Sequence, residues 1–164
     1  MSASKVPTDA AIHGRAIFVI TNDDTTVHLY RDVQSLVTDI KEGDVARLGS
    51  VGFFNVRGQR LVPVRSAEGR LQGLRAAGDP PDAQAVQMRL CAVRRNLAAT
   101  VAARVAKAVR PISLEEALRL LPELAGKDLP ECYDLLEPIF SHAYRDGDPG
   151  AMDDGDWWHN LWAH

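Results

Sequence analysis

Residues 16–21, Ala-Ile-Phe-Val-Ile-Thr, form an apolar run that stops at Asn22-Asp23-Asp24-Thr25, whose short polar side chains favour tight turns. The next segment, residues 26–30, places Val27 and Leu29 on one face and His28 and Tyr30 on the other, the period of two of a strand. Asp32 is a natural N-cap, and Val33, Leu36, Val37 and Ile40 then recur at i, i+3, i+4 and i+7, predicting a short amphipathic helix closed by Gly43. A second extended segment runs from 46 to 56 with Val51, Phe53, Phe54 and Val56. Arg57-Gly58-Gln59 turns it into Arg60-Leu61-Val62-Pro63-Val64. Pro63 cannot donate a ladder bond, so its strand is expected at an edge or with a bulge. After a turn at Ala67-Glu68-Gly69, residues 70–74 can add a fifth strand to a ββαββ module.

Gly78-Asp79-Pro80-Pro81-Asp82 interrupts regular structure, and the pattern beyond it is helical. Residues 83–109 lack Gly and Pro, and Val86, Leu90, Val93, Leu97, Val101 and Val105 recur every three or four positions on an alanine background. Pro111 stops this helix. Ser113-Leu114-Glu115-Glu116 is a capping box that opens another, limited by Pro122, and a third begins near Asp128-Leu129-Pro130-Glu131 and carries Leu135, Leu136, Ile139 and Phe140. Pro138 should bend it, and Asp146-Gly147-Asp148-Pro149-Gly150 ends it. The expected fold is α+β. A small antiparallel sheet with one short helix occupies residues 14–77, and a three-helix segment, 83–145, packs on the sheet or on itself. An acidic, tryptophan-rich tail, 146–164, completes the chain.

Charge changes this picture. Residues 1–110 hold 16 Lys and Arg against 10 Asp and Glu, whereas 111–164 hold 3 against 12. The arginines of the long helix, Arg89, Arg94, Arg95, Arg104 and Arg110, are expected to pair with Glu115, Glu116 and Glu123 of the helices that follow. No such partner is in view for Asp146, Asp148, Asp153, Asp154 and Asp156, which run into Trp157, Trp158 and Trp162, all three tryptophans of the protein. Rigid aromatic area beside clustered carboxylates suits recognition of a basic protein surface, and these eight residues are the candidate partner-binding set. A competing reading makes the chain a nucleic-acid-associated regulator acting through Arg94, Arg95, Arg104 and Lys107. Helical rotation of about 100° per residue scatters those groups over more than one face, and the mildly acidic total does not favour a general nucleic-acid coat.

Catalytic and metal chemistry gains little from the motifs. The chain has no Gly-x-Ser-x-Gly elbow, phosphate loop, dinucleotide fingerprint or His-Glu-x-x-His, so no catalytic residue and no cofactor is assigned. A metal-dependent accessory or enzyme, with His28 or His142 as a base, stays as a third class. Asp146-x-Asp148-x-Gly150 opens like a calcium loop, but Ala151 stands where the turn needs Gly and Trp157 where a bidentate Glu is needed, so no metal site is assigned. Cys91 and Cys132 form no Cys-x-x-Cys pair and are expected as buried, reduced thiols. With no apolar window near the roughly 18 residues of a membrane span and no signal-peptide core at the start, the expected address is cytoplasmic.

Residues 27–36, Val-His-Leu-Tyr-Arg-Asp-Val-Gln-Ser-Leu, then 39–45, Asp-Ile-Lys-Glu-Gly-Asp-Val, and 53–61, Phe-Phe-Asn-Val-Arg-Gly-Gln-Arg-Leu, resemble a pattern of small actinobacterial proteins, many of them similar to immunity proteins. That pattern is a strand, a short helix after a Tyr-x-Asp/Ser-Val turn, an acidic connection, and a hairpin ending in Asp-x-x-Gly-Arg-x-Leu. Here Asn55 stands for the Asp, and the arginine arrives one residue late, at Arg60. The resemblance covers about 45 residues and concerns turn chemistry and core spacing. It implies a non-enzymatic protein that binds and blocks a cognate toxin.

Overall fold

The computed structural model describes residues 15–40 and 48–140. Five strands, β1 (Ile17–Thr21), β2 (Val27–Tyr30), β3 (Val51–Asn55), β4 (Arg60–Arg65) and β5 (Leu71–Ala76), form one antiparallel sheet in the order β2-β1-β3-β4-β5. The helices are α1 (Val33–Asp39), α2 (Ala83–Ala108), α3 (Leu114–Arg119) and α4 (Leu129–Phe140). The α+β class and the order of elements follow the sequence pattern, with the fifth strand present. The third strand is shorter than expected, because a 3₁₀ turn at 48–50 precedes it.

β1 is buried along its whole length because both of its faces are covered. On one face Phe18, Ile20, Val27, Leu29, Phe54 and Val56 pack against Val86, Leu90 and Val93 of α2 and Leu129, Cys132, Tyr133 and Leu136 of α4. The Phe18 and Tyr133 rings meet edge to face with centroids 6.0 Å apart. On the other face Ile17, Val19, Tyr30, Val51 and Phe53 pack against Leu36 and Ile40 at α1 and against Leu71. The helical segment therefore shares a core with the sheet. Leu135 and Ile139 lie on the outward side of α4 and are exposed, unlike Leu136.

Of the two placements expected for Pro63, the edge is not found and the irregular pairing is. β4 is an inner strand, yet β3 pairs with it only at Leu61 and Arg60, so Pro63 lies beyond that ladder, opposite Leu74 of β5. A register shift follows between Val64 and Arg65.

The interruption at 78–82 is a pinned corner. Gln59 donates its side-chain amide to the Asp79 carbonyl at 2.9 Å, and Arg60 Nε meets Asp79 Oδ2 at 2.6 Å. The Asp82 N–H donates to the Gly58 carbonyl at 3.0 Å. Gly58 has φ +84°, and a Cβ there would lie 2.3 Å from the Ala83 nitrogen, so only glycine lets the β3–β4 turn approach the start of α2. Asp82 then caps α2 through the Ala85 N–H at 3.0 Å.

Farther along, α2 leaves the sheet. Beyond Ala98 it packs on α3 through a satellite core of Ala98, Ala117 and Leu121, with Val101 and Ile112 partly buried against it. α3 opens with the reciprocal Ser113/Glu116 capping box expected from sequence. No helix among the described residues is long and apolar enough to cross a membrane.

Candidate functional site

The acidic and aromatic set, Asp146, Asp148, Asp153, Asp154, Asp156, Trp157, Trp158 and Trp162, lies outside the described residues, as does His142. What the structure describes is the acid that precedes it. Glu116 accepts from the Ser113 N–H and receives Arg110 Nη2 at 3.3 Å, and these two contacts, the backbone one first, hold its carboxyl below the usual range. Glu115 pairs with Arg119 at 3.5 Å within α3, rather than with an arginine of α2. Glu123 accepts from the Ala125 N–H at 3.1 Å with Arg94 at 4.0 Å, and its pKa is lowered for those reasons in that order. Asp128 and Glu131 cap the start of α4 reciprocally, and Glu137 accepts from the Tyr133 hydroxyl at 3.2 Å.

The arginines of the competing nucleic-acid reading divide. Arg94 turns inward: its Nε donates to the Pro122 carbonyl at 2.7 Å, and its Nη2 donates to the carbonyls of Leu118 at 2.8 Å and Leu121 at 3.4 Å. It thus braces the chain at and just beyond the end of α3 and is largely buried. Arg95, Arg104 and Lys107 are exposed. Arg89 is also engaged in the fold. It meets Asp24 Oδ1 at 2.8 Å, donates to the Thr21 carbonyl at 3.0 Å and lies 5.4 Å over the Phe54 ring, tying α2 to the β1–β2 turn.

A second group of basic residues is brought together only by the fold. Residues 57–76, the β4–β5 ribbon with its leading turn, carry Arg57, Arg60, Arg65, Arg70 and Arg75 against the single acid Glu68, and all five arginines are exposed. Register places Arg60, Val62 and Val64 on the α2 side of the sheet, with Arg75 opposite Val62 and Gly73 opposite Val64. Both valines are only half-buried and belong to neither sheet core. On this face Arg60, held by Asp79, and Arg75 lie beside the two valines, whereas Arg65, opposite Leu71, faces the α1 side. Spaced about five residues apart, these arginines form neither a charge run nor a helical face in the sequence. Only the hairpin pairing joins them.

Reactive groups in the described fold are quiet. Cys132 is fully buried against α2, and burial, with Cys91 the next cause, pushes its thiol up to about 12, so it stays protonated. Cys91 corrects the expectation for both cysteines, since it is only half-buried on the flank of the core. His28 lies on the α1 side of β2, opposite Val19 of β1. A narrow notch between α2 and α4 is lined by Val27, Leu90, Val93, Leu97, Leu121 and Leu136. Among the described residues no three His, Cys, Asp or Glu side chains gather as a metal site. Comparison with known proteins found no matching family model, no similar curated protein and no similar solved structure.

Proposed function

We propose that this chain is a non-enzymatic, protein-binding protein of the immunity or antitoxin type. In this reading Asp146, Asp148, Asp153, Asp154, Asp156, Trp157, Trp158 and Trp162 engage a basic surface on a protein partner. The supporting observation is where the other acids of the C-terminal third go. Glu115, Glu116, Glu123, Asp128, Glu131 and Glu137 each have a partner within the fold, so the acidity of this third is partly structural and its remainder concentrates after residue 145. Clustered carboxylates raise the encounter rate with a basic patch, while tryptophans supply the desolvated contacts that slow dissociation. The competing nucleic-acid reading is weakened by Arg94, whose guanidinium is engaged with α3 carbonyls.

The test uses the full chain as bait in a lysate of its native host, followed by titration calorimetry with the protein recovered. Removing residues 151–164 is expected to lower affinity at least about thirtyfold, the effect of losing one aromatic hot spot. Raising salt should slow association of the intact chain. Unchanged affinity after the deletion would overturn the assignment of the site. Recovery of nucleic acid alone, lost on neutralising Arg95 and Arg104, would replace the function.

A further inference from the structure

We infer that Cys91 and Cys132 are a redox pair, closing to a disulfide between α2 and α4 when the chain meets a peroxide. This goes beyond the partner-binding reading and does not depend on it.

Two observations bring the thiols together. They are the chain's only cysteines, and both belong to the core shared by α2 and α4, Cys132 fully buried within it and Cys91 packed on its flank. Both sulfurs also face one turn, 124–127, which the Lys127 N–H closes on the Leu124 carbonyl at 3.1 Å. On the α2 side, Gln87 Nε2 donates to that same carbonyl at 2.7 Å and to Cys91 Sγ at 3.5 Å. On the α4 side, the Cys132 thiol donates to the Lys127 carbonyl at 3.9 Å. Charge on one thiol is felt at the other, since Cys91 is the next cause, after burial, of the raised Cys132 pKa.

Exposure decides the order of reaction. Cys91 is half-buried, whereas Cys132 is fully buried and holds its proton, so an oxidant from solvent meets Cys91 first. The Cys91 thiol takes one oxygen of hydrogen peroxide, giving a sulfenic acid and one water. The Cys132 thiol then attacks that sulfur: the S–O bond breaks, the S–S bond forms, and the Cys132 proton leaves with the hydroxide as a second water. The two sulfurs together give up two electrons, and the O–O bond of the peroxide accepts them. Because burial keeps Cys132 protonated, the second step is the slow one. The same burial shields the finished disulfide from reductants in solvent.

The bond encloses residues 92–131, which contain the distal part of α2, the whole of α3 and the 124–127 turn. Joining the two ends of this segment fixes the base on which α3 and the distal part of α2 stand, and it restricts the unfolded chain. The oxidised protein is thus the more stable and less readily opened form.

The test treats the reduced full chain with a small excess of hydrogen peroxide in native buffer, alkylates the remaining thiols and maps tryptic peptides without reduction. Expected is a cross-link between peptides 90–94 and 128–145 within a monomer, with the intact mass lower by two hydrogens. Urea unfolding of the oxidised chain should then shift at least about tenfold toward the folded form, and dithiothreitol should reverse the shift. Cys91→Ala, a change on the flank of the core whose fold circular dichroism checks, should leave Cys132 reduced under the same peroxide. The inference is overturned if Cys91 passes to sulfinic or sulfonic acid while Cys132 remains a thiol, or if the cross-link joins two chains through Cys91. It is equally overturned if the bond forms only in urea, if it leaves urea stability unchanged, or if Cys132 of the Cys91→Ala variant oxidises as fast as in the wild type. No partner is used, so the outcome is separate from that of the deletion of residues 151–164.

Discussion

Arg94 shows how much one side chain can hold at the boundary between two helices. Its guanidinium supplies donors to the Leu118, Leu121 and Pro122 carbonyls, at and just beyond the end of α3. Arg94→Lys keeps the charge but cannot present a planar fork to two carbonyls, so a loss of about 1–2 kcal/mol is expected in urea unfolding, and Arg94→Ala should lose more. Equal stability of the lysine variant would show that charge alone suffices. Gly58 makes a second residue-scale prediction. With φ +84° and the Ala83 backbone 2.3 Å from a built Cβ, Gly58→Ala should destabilise by about 3 kcal/mol, combining left-handed strain with a displaced α2 start. Gly69, also at positive φ but with open space around it, is the control and should cost only about 1 kcal/mol when changed to Ala. The sequence marked both glycines as turn residues, yet it could not tell them apart, because the difference is what lies across from them. Likewise it placed Arg94 on α2 and offered it to acids. Carbonyls of a helix end leave no trace in side-chain identity.

At the scale of elements, local chemistry was most legible where it is self-contained. α1 is the best case: Asp32 caps it through the Ser35 N–H at 2.8 Å and the Ser35 hydroxyl at 2.9 Å, and Val33, Leu36 and Val37 face the second core as their spacing foretold. Those two hydrogen bonds, the backbone one first, favour the charged carboxylate and lower its pKa. A depressed acid stabilises the fold fully above its unfolded range near pH 4, and the contribution fades as pH falls through the lower folded value. Asp32→Ala should therefore cost about 1 kcal/mol at pH 7, with the gap to wild type narrowing near pH 3. Asp32→Asn retains a neutral acceptor, so its stability relative to Asp32→Ala should stay constant over that range. A gap between wild type and alanine that is unchanged at pH 3, measured by denaturant titration, would remove the carboxylate from the cap. β4 was legible in a different way. Pro63 announced a local break in pairing, but the five arginines of its ribbon were dispersed in sequence and were brought together only when β4 and β5 paired.

For the whole molecule, periodicity predicted which segments are strands and helices, and pairing order with layering had to come from the structure. The run 16–21 reads as a strand from any direction, but its burial on both faces depends on α1 covering one side and α2 with α4 the other. The proposed partner-binding residues were legible only as composition, because nothing in periodicity locates a segment without a regular pattern. Layering also sets two tiers of stability within a single helix. Up to Ala98, α2 presents Val86, Leu90 and Val93 to a core shared with three strands and α4. Beyond Ala98, among the described residues, its apolar contacts are with α3 and the residues flanking it, through Ala98, Ala117 and Leu121, with Arg104, Lys107 and Val109 exposed. Alanine at positions 99, 102, 103, 106 and 108 favours helix intrinsically but buries little apolar area per residue. The distal half of α2 should therefore open with α3 as one sub-global unit, below the free energy of global unfolding. Amide hydrogen exchange should show residues 100–109 and 114–119 exchanging together, at least about tenfold faster than residues 90–97. Leu121→Ala should accelerate the distal group further, since it removes the largest apolar side chain of the satellite core. Uniform protection along the whole of α2 would mean that the helix opens as one piece, and that the sheet stabilises its far end through α3.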